Sequence, residues 1–338
     1  MRLYFQLLVI AFGMQLFTGC STGDKEVITL EGRAFGTTYH VQYYGDNSLP
    51  IATGLDSVIE QVNASVSTYQ DDSLISRINN GDSTVIVDPI FREVFALSAE
   101  VNKRSRGYFD PTIGVLRNAY GFGEDQPLKQ IDQVTLDSLM QYVGFQKVTL
   151  LPSGQVRKAH PNIYLDFNAV AKGYGVDLIG EYLVSQGIEN FLVELGGEIV
   201  TKGTNLQKEK PWVVGIERVN SELGQRSIEA SLSLTDRGMA SSGNYRKFRV
   251  DPDTGVRYVH TIDPLTGSAE QSDVTSATVI AEDCATADAY ATAFMAMGLD
   301  RSKRLLERLQ GLEVYLTYEK EGTTQVFTTP GMEALLRD

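Results

Sequence analysis

An α+β fold is the expectation for this chain, because helical and strand periodicities are mixed without strict β-α-β alternation, antiparallel turn signals separate several strands, and no internal repeat occurs. Residues 27–44 include the alternating run THVQYY and read as strands turning at Gly36. Residues 55–64 read as an amphipathic helix. Between Pro89 and Lys103, Ile90, Val94, Leu97 and Val101 recur at helical spacing, and Gly107 follows as a stop. Residues 162–167 form a short buried-strand candidate that runs into a helix over 170–186. FLVELGGEIV, residues 191–200, reads as a strand broken by a glycine pair. RKFRV and VRYVHTI flank the turn-forming DPDTG and suggest an antiparallel hairpin. Residues 285–297 and 302–309 are helical in pattern, and VYLTYE, residues 314–319, reads as a closing strand.

Composition narrows the function classes. The formal net charge of −13 argues against a nucleic-acid partner, which would need a basic face. With 338 residues and 42% hydrophobic content the chain can bury a sizeable core, and no low-complexity linker divides it. The N-terminus has one cation, Arg2, then an apolar run, then small residues before Cys20, the layout of a secretory signal. Gln6, Gln15, Thr18 and Gly19 interrupt or end that run short of the about 20 apolar residues a spanning helix needs. FTGC resembles a bacterial lipobox, so residues 1–19 are expected to be a removed signal peptide and 20–26 a tether lipidated on Cys20. A plain signal peptide or an anchor helix is the alternative. Residues 27–338 would then form one catalytic unit on the exported, periplasmic face of a bacterial membrane. With Cys20 acylated, Cys284 has no intramolecular partner, and the fold cannot depend on a disulfide.

Two constellations carry the chemistry. In the helix CATADAYATAFMAMG nearly every side chain is small or apolar, except Asp288 and Thr292, which at i and i+4 share one face. Both are hard oxygen donors suited to magnesium. The alternative is a solvent-facing Asp288 with Thr292 bonded back to its own helix. In DFNAVAKGYGVD, Asp166 ends a strand and Lys172 lies near the first turn of the next helix, where free amides and the helix dipole favour an anion. Gly173 and Gly175 each cost a helix about 1 kcal/mol, so a ligand or backbone must approach closely there; phosphate binding and tight helix-on-sheet packing both satisfy that. Gly196–Gly197, SSGNY (241–245) and HTIDPLTG (260–267) add turned, exposed backbone. Histidine exchanges protons near neutral pH, and His260 stands in a better ordered cluster than His40 or His160, although on its own a structural role explains it better than a catalytic one.

In this order, AFGTTY, STYQDDSLISRIN, GYFDPTIG, YGFG, DFNAVAKGYGVD, ELGGE, SSGNY, HTIDPLTG and ADAYATAFMAMG resemble the FAD:protein FMN transferase (ApbE) lipoprotein family over roughly Gly32 to Gly298. The resemblance implies a T-fold-like α+β catalytic fold of two intimately packed lobes. The enzyme it implies binds FAD with magnesium and joins FMN to a threonine or serine of exported or membrane redox subunits. Carried over by motif, Asp288, Thr292 and the Ala169 carbonyl look like magnesium ligands, and Asp166 and Lys172 look like FAD contacts. Tyr69, Tyr120, Gly121, Phe122 and Ile262 resemble flavin-lining positions. Phe35 stands where the family often has methionine, and Tyr120 where tryptophan is common. By resemblance and placement, His260 is the candidate base. Water in place of the acceptor would give an FAD pyrophosphatase releasing FMN and AMP, and a non-catalytic flavin-binding lipoprotein is the rival from another class. DVTSAT, residues 273–278, loosely resembles an acceptor motif but lacks its glycine and reads equally well as a strand.

Overall fold

The structure, a computed structural model, describes residues 27–123, 128, 131–219, 227–244, 248–250 and 255–337. The expected signal, the tether and Cys20 lie outside these residues. The N-terminal strands β1 (Val27–Ala34) and β2 (Thr37–Tyr44) turn at Phe35 and Gly36, both of positive φ. Helices α1 (Ile51–Val66), α2 (Leu74–Asn79) and α3 (Pro89–Arg104) follow. Ser73 and Asp88 start the latter two by accepting hydrogen bonds from the amides of Ser76 and Phe91. Next come α4 (Gly114–Ala119), α5 (Gln133–Met140), the short pair β3 (Val148–Leu150) and β4 (Val156–Lys158), and α6 (Ala171–Ser185). Two hairpins, β5 (Phe191–Leu195) with β6 (Glu198–Lys202) and β7 (Trp212–Glu217) with β8 (Ile228–Leu234), precede β9 (Gly238–Gly243). A small pair, β10 (Phe248–Val250) and β11 (Arg257–Val259), leads to β12 (Val274–Ala281). The chain closes with α7 (Cys284–Met297), α8 (Leu299–Leu306), β13 (Glu313–Lys320), β14 (Thr323–Thr328) and α9 (Pro330–Leu335).

Eight strands form one antiparallel sheet in the order β1-β2-β5-β6-β9-β12-β13-β14. Strand residues alternate between its faces, and here each face is covered. On one side Val41, Val193, Leu195, Ala240, Ala277, Val279 and Leu316 pack against α6 and α7, with α1 behind α6. On the other, Leu192, Ile199, Met239, Ile280 and Tyr315 meet Trp212, Val214 and Leu232 of the β7–β8 hairpin and Met332 of α9. The alanines of α7 explain its place: with almost no side-chain bulk it lies flush between the sheet and α6, buried on nearly every side. A third cluster joins Leu116 and Tyr120 to Val143, Ile262 and Ala269, and so ties α4 and α5 to the 260–267 loop.

The α+β expectation holds, with several local differences. Residues 162–167 form no strand beyond a single parallel bridge between Ile113 and Tyr164. Their burial comes from Ile163, Leu165 and Phe167 filling the helical core rather than from a ladder. FLVELGGEIV is a hairpin, because Gly196 and Gly197, at φ 65° and 113°, reverse the chain completely. VYLTYE does not close the sheet: β14 adds an outer strand to it. DVTSAT runs into the buried central strand β12, which settles it as sheet. Parts of DPDTG and Tyr245 of SSGNY fall outside the described residues.

Candidate active site

A cleft of about 390 Å³ opens where the helix side of the sheet meets α4 and the 260–267 loop. Phe35, Tyr69, Phe122, Asp166, Ala169, Lys172, His260, Ile262, Asp288 and Thr292 all line it, so ten of the positions singled out in the sequence converge from segments far apart in the chain. Tyr120 and Gly121 do not line it. The Tyr120 ring turns into the cluster with Leu116 and Ile262, and its hydroxyl donates to the Gly267 carbonyl at 3.0 Å, so this residue braces the loop carrying His260. Gly121 provides a turn of positive φ after α4.

The helices α6 and α7 set the floor. Asp288 is buried, which removes the solvent-facing alternative, and its Oδ2 accepts the Gly173 amide at 3.1 Å. One turn along α6, the Asp177 carboxylate accepts the amides of Cys284 and Ala285, each at 2.8 Å, holding the N-terminus of α7 where carboxylates are favoured. Burial nevertheless pushes the Asp177 carboxyl up to about 7, against those two hydrogen bonds. The two costly glycines answer to packing. A Cβ on Gly173 would stand 2.5 Å from the Cys284 carbonyl oxygen, and one on Gly175 would stand 2.5 Å from the Phe35 ring. Gly173→Ala is therefore expected to destabilise the protein by about 2 kcal/mol, as overpacking does, reversing the gain that alanine gives in an open helix. A thermal melt checks this, and unchanged stability would refute the contact.

Charge concentrates at this floor. Lys172 Nζ lies 2.6 Å from Glu198 Oε1, and Asp288 stands behind them. Burial alone would lower the Lys172 ammonium, but Glu198 and Asp288 outweigh it and raise it. Burial raises the carboxyls of both Glu198 and Asp288, with Lys172 opposing. Two buried carboxylates thus share one ammonium, and Glu198 Oε2 is buried with no hydrogen-bond partner among the described residues. The hydroxyls of Ser242 and Thr292 lie 3.4 Å apart beside them. Among the described residues no group of three or more His, Cys, Asp or Glu side chains is placed to hold a metal ion by itself. A cation here would be held by carboxylate, hydroxyl and carbonyl oxygens and by a ligand's own oxygens, the donor set of magnesium. The uncompensated negative charge and the orphaned oxygen fit such an ion.

At the other end Arg117, which the sequence reading missed, pairs with buried Asp166 and donates to the Tyr69 hydroxyl at 2.6 Å. Burial opposes the Arg117 charge, and Asp166 and Tyr69 more than restore it. Asp166 Oδ1 also accepts the Asn168 amide at 2.8 Å, which fixes the turn leading past Ala169 into α6. The His260 ring meets Phe122 edge-on, with centroids 6.5 Å apart. Its loop is pinned where Thr261 Oγ1 donates to Asn244 Oδ1 at 2.9 Å. Arg117 lies in GVLRN, just before YGFG, and Glu198 closes ELGGE; their neighbours were legible as motif, but nothing in the spacing announced their partners.

Fold and cleft together define an α+β protein that gathers a buried ion-pair cluster, a hydroxyl pair and a histidine along one antiparallel sheet. Residues 35–316 match the ApbE family, and the chain belongs to it. The FAD:protein FMN transferase of Haemophilus influenzae is 36% identical over 320 residues, 91% of this chain and 91% of that protein. Among solved structures, the flavin transferase ApbE of Vibrio cholerae matches with a TM-score of 0.82 at 33% identity, covering 92% of this chain and 99% of that one. The apo flavinyl transferase ApbE of Pseudomonas stutzeri matches with a TM-score of 0.80 at 26% identity, covering 92% and 96%.

Proposed function

We propose that the protein transfers FMN from FAD to a threonine or serine hydroxyl of another protein, with magnesium, releasing AMP. The observation that carries this reading is the convergence of Ala169, Lys172, Asp288 and Thr292 with His260 in one cleft. Asp288, Thr292 and the Ala169 carbonyl would hold the magnesium ion. When bound, it supplies charge neutralisation at the pyrophosphate and at the departing phosphate. Lys172 adds a fixed positive charge at the same end. Arg117, Asp166 and Tyr69 form a hydrogen-bonded wall against which the nucleotide lies. His260 takes the proton of the acceptor hydroxyl as its oxygen attacks the phosphorus on the riboflavin side. One P–O bond forms, the pyrophosphate P–O bond breaks, and AMP leaves as the anion, giving a phosphodiester-linked flavin.

The N-terminal reading adds a location. A lipid on Cys20 would hold the enzyme at the exported face of a bacterial membrane and raise its effective concentration toward flavin-acceptor subunits there. The test mixes mature protein, FAD and magnesium with candidate acceptor subunits and looks for covalent flavin fluorescence on a denaturing gel. Transfer is expected, and His260→Ala should lower it by about 10²–10⁴-fold with FAD binding intact. Flavin binding with neither transfer nor FAD cleavage across several acceptors would leave a binding protein instead.

A further inference from the structure

We propose that Arg117 is a positioning residue for the nucleotide: acting through Tyr69, it fixes that ring in advance as a face for one of the two planar rings of FAD. The proposal rests on the flavin-transferase reading of the cleft given above. Lys172, Glu198 and Asp288 gather the charge suited to the pyrophosphate at one end of the cleft, and Arg117 stands at the other. Its own charge is matched by Asp166, so this end suits a ring of the nucleotide rather than its phosphates.

Local structure aims the guanidinium. The Asp166 amide donates to the Pro111 carbonyl at 2.7 Å and Ile113 bridges to Tyr164, so the segment ending at Asp166 lies beside the start of α4. One turn along that helix, Arg117 reaches the Asp166 carboxylate. Asp166 divides its oxygens: Oδ1 accepts the Asn168 amide at 2.8 Å, and Oδ2 accepts from Arg117 Nη1. Nη2 donates to the Tyr69 hydroxyl at 2.6 Å. A guanidinium suits this task because its planar fork fixes the angle between two partners, whereas a lysine ammonium is a point charge on a flexible stem. Only 14% of the Arg117 side chain and 3% of the Asp166 side chain are exposed, so the fork is held firmly from behind.

Tyr69 differs from both: it lines the cleft yet is 59% exposed. Its loop, residues 67–73 between α1 and α2, is closed at the base by Ser73 Oγ, which donates to the Ser67 carbonyl at 2.7 Å. Asn168 Nδ2 docks the loop by donating to Thr68 Oγ1 at 3.2 Å. Those ties fix the backbone. The ring is held at its hydroxyl end by Arg117, whose guanidinium carbon lies 5.7 Å from the ring centroid. An exposed tyrosine samples several staggered rotamers, and ordering it on binding costs affinity; a hydrogen bond made beforehand removes that cost. A tethered, exposed aromatic ring is suited to stack on a planar partner, and FAD carries two, the isoalloxazine and the adenine.

Arg117→Lys and Tyr69→Phe are compared singly and together, by calorimetric titration with FAD, by steady-state kinetics and by thermal melts. Tyr69→Phe leaves the Arg117–Asp166 pair intact, so it reads the link even where lysine unsettles Asp166. Each single variant is expected to weaken FAD binding about three- to tenfold, the scale of ordering one side chain on binding, and to raise the KM for FAD alike while kcat changes far less. The double variant should bind no worse than the weaker single variant, because both substitutions remove the same link. Separate titrations with FMN and AMP assign the ring: one of the two must lose the affinity that FAD loses. A purely structural Arg117 would lower the melting temperature of Arg117→Lys and leave FAD affinity alone. That outcome, full additivity in the double variant, or unchanged binding of both FMN and AMP overturns the proposal. A parent protein that does not bind FAD fails earlier, at the flavin-transferase reading, and takes the proposal with it.

Discussion

Replacing Asp288 with asparagine should lower FMN transfer by about 10²–10³-fold, the scale for removing one electrostatic stabiliser of developing charge, while leaving the fold intact. The carboxylate faces Glu198 as a buried like charge, and Lys172 already pairs with Glu198 at 2.6 Å. Losing the negative charge therefore relieves repulsion, and the asparagine oxygen still accepts the Gly173 amide. Asp288→Ala should be equally inactive but slightly less stable, since that amide loses its acceptor at a cost of about 1–3 kcal/mol, partly offset by the removed repulsion. Magnesium titrations of transfer and thermal melts of both variants check this. Full magnesium-dependent activity in either would refute the assignment of Asp288 as a ligand, and collapse of the asparagine variant would make its role structural.

Legibility followed the range of the interactions. Asp288 and Thr292 were readable because helical spacing places i and i+4 on one face, whatever the rest of the chain does. The meaning of Gly173 and Gly175 was not, since the sequence shows that something approaches but not what; the structure supplies the Cys284 carbonyl and the Phe35 ring. Arg117 and Glu198 act through partners 49 and 26 positions away, separations that no local pattern encodes. Tyr120 was read as flavin-lining from its motif, yet a tyrosine can serve the same motif by pinning the His260 loop through Gly267. The strand pattern of β5 and β6 was visible while their reversal was not, because GG permits a bulge or a turn and only the sheet order decides. β7 and β8 escaped notice although Trp212 anchors them by donating to the Lys202 carbonyl.

Lys172→Met carries the largest expected effect on stability. It leaves Glu198 and Asp288, both buried, facing each other without their cation. Breaking a buried pair costs about 3–5 kcal/mol, and the lower end applies because Lys172 keeps 33% of its side-chain surface exposed. The sign of the pH dependence follows from the carboxyls. Burial already raises both, and without the opposing ammonium they rise further. A carboxyl raised in the folded state binds its proton more tightly there than in the unfolded chain. Its contribution is therefore full below the unfolded value, about 4, and is lost as pH rises through the folded value. The variant should melt close to the parent near about pH 5 and well below it near about pH 8. If the cluster takes a divalent cation, magnesium should recover part of the deficit at the higher pH, whereas sodium chloride of equal ionic strength should not. A deficit of the same size at every pH, unmoved by magnesium, would mean that Lys172 acts by packing alone and that the two carboxylates do not share its charge.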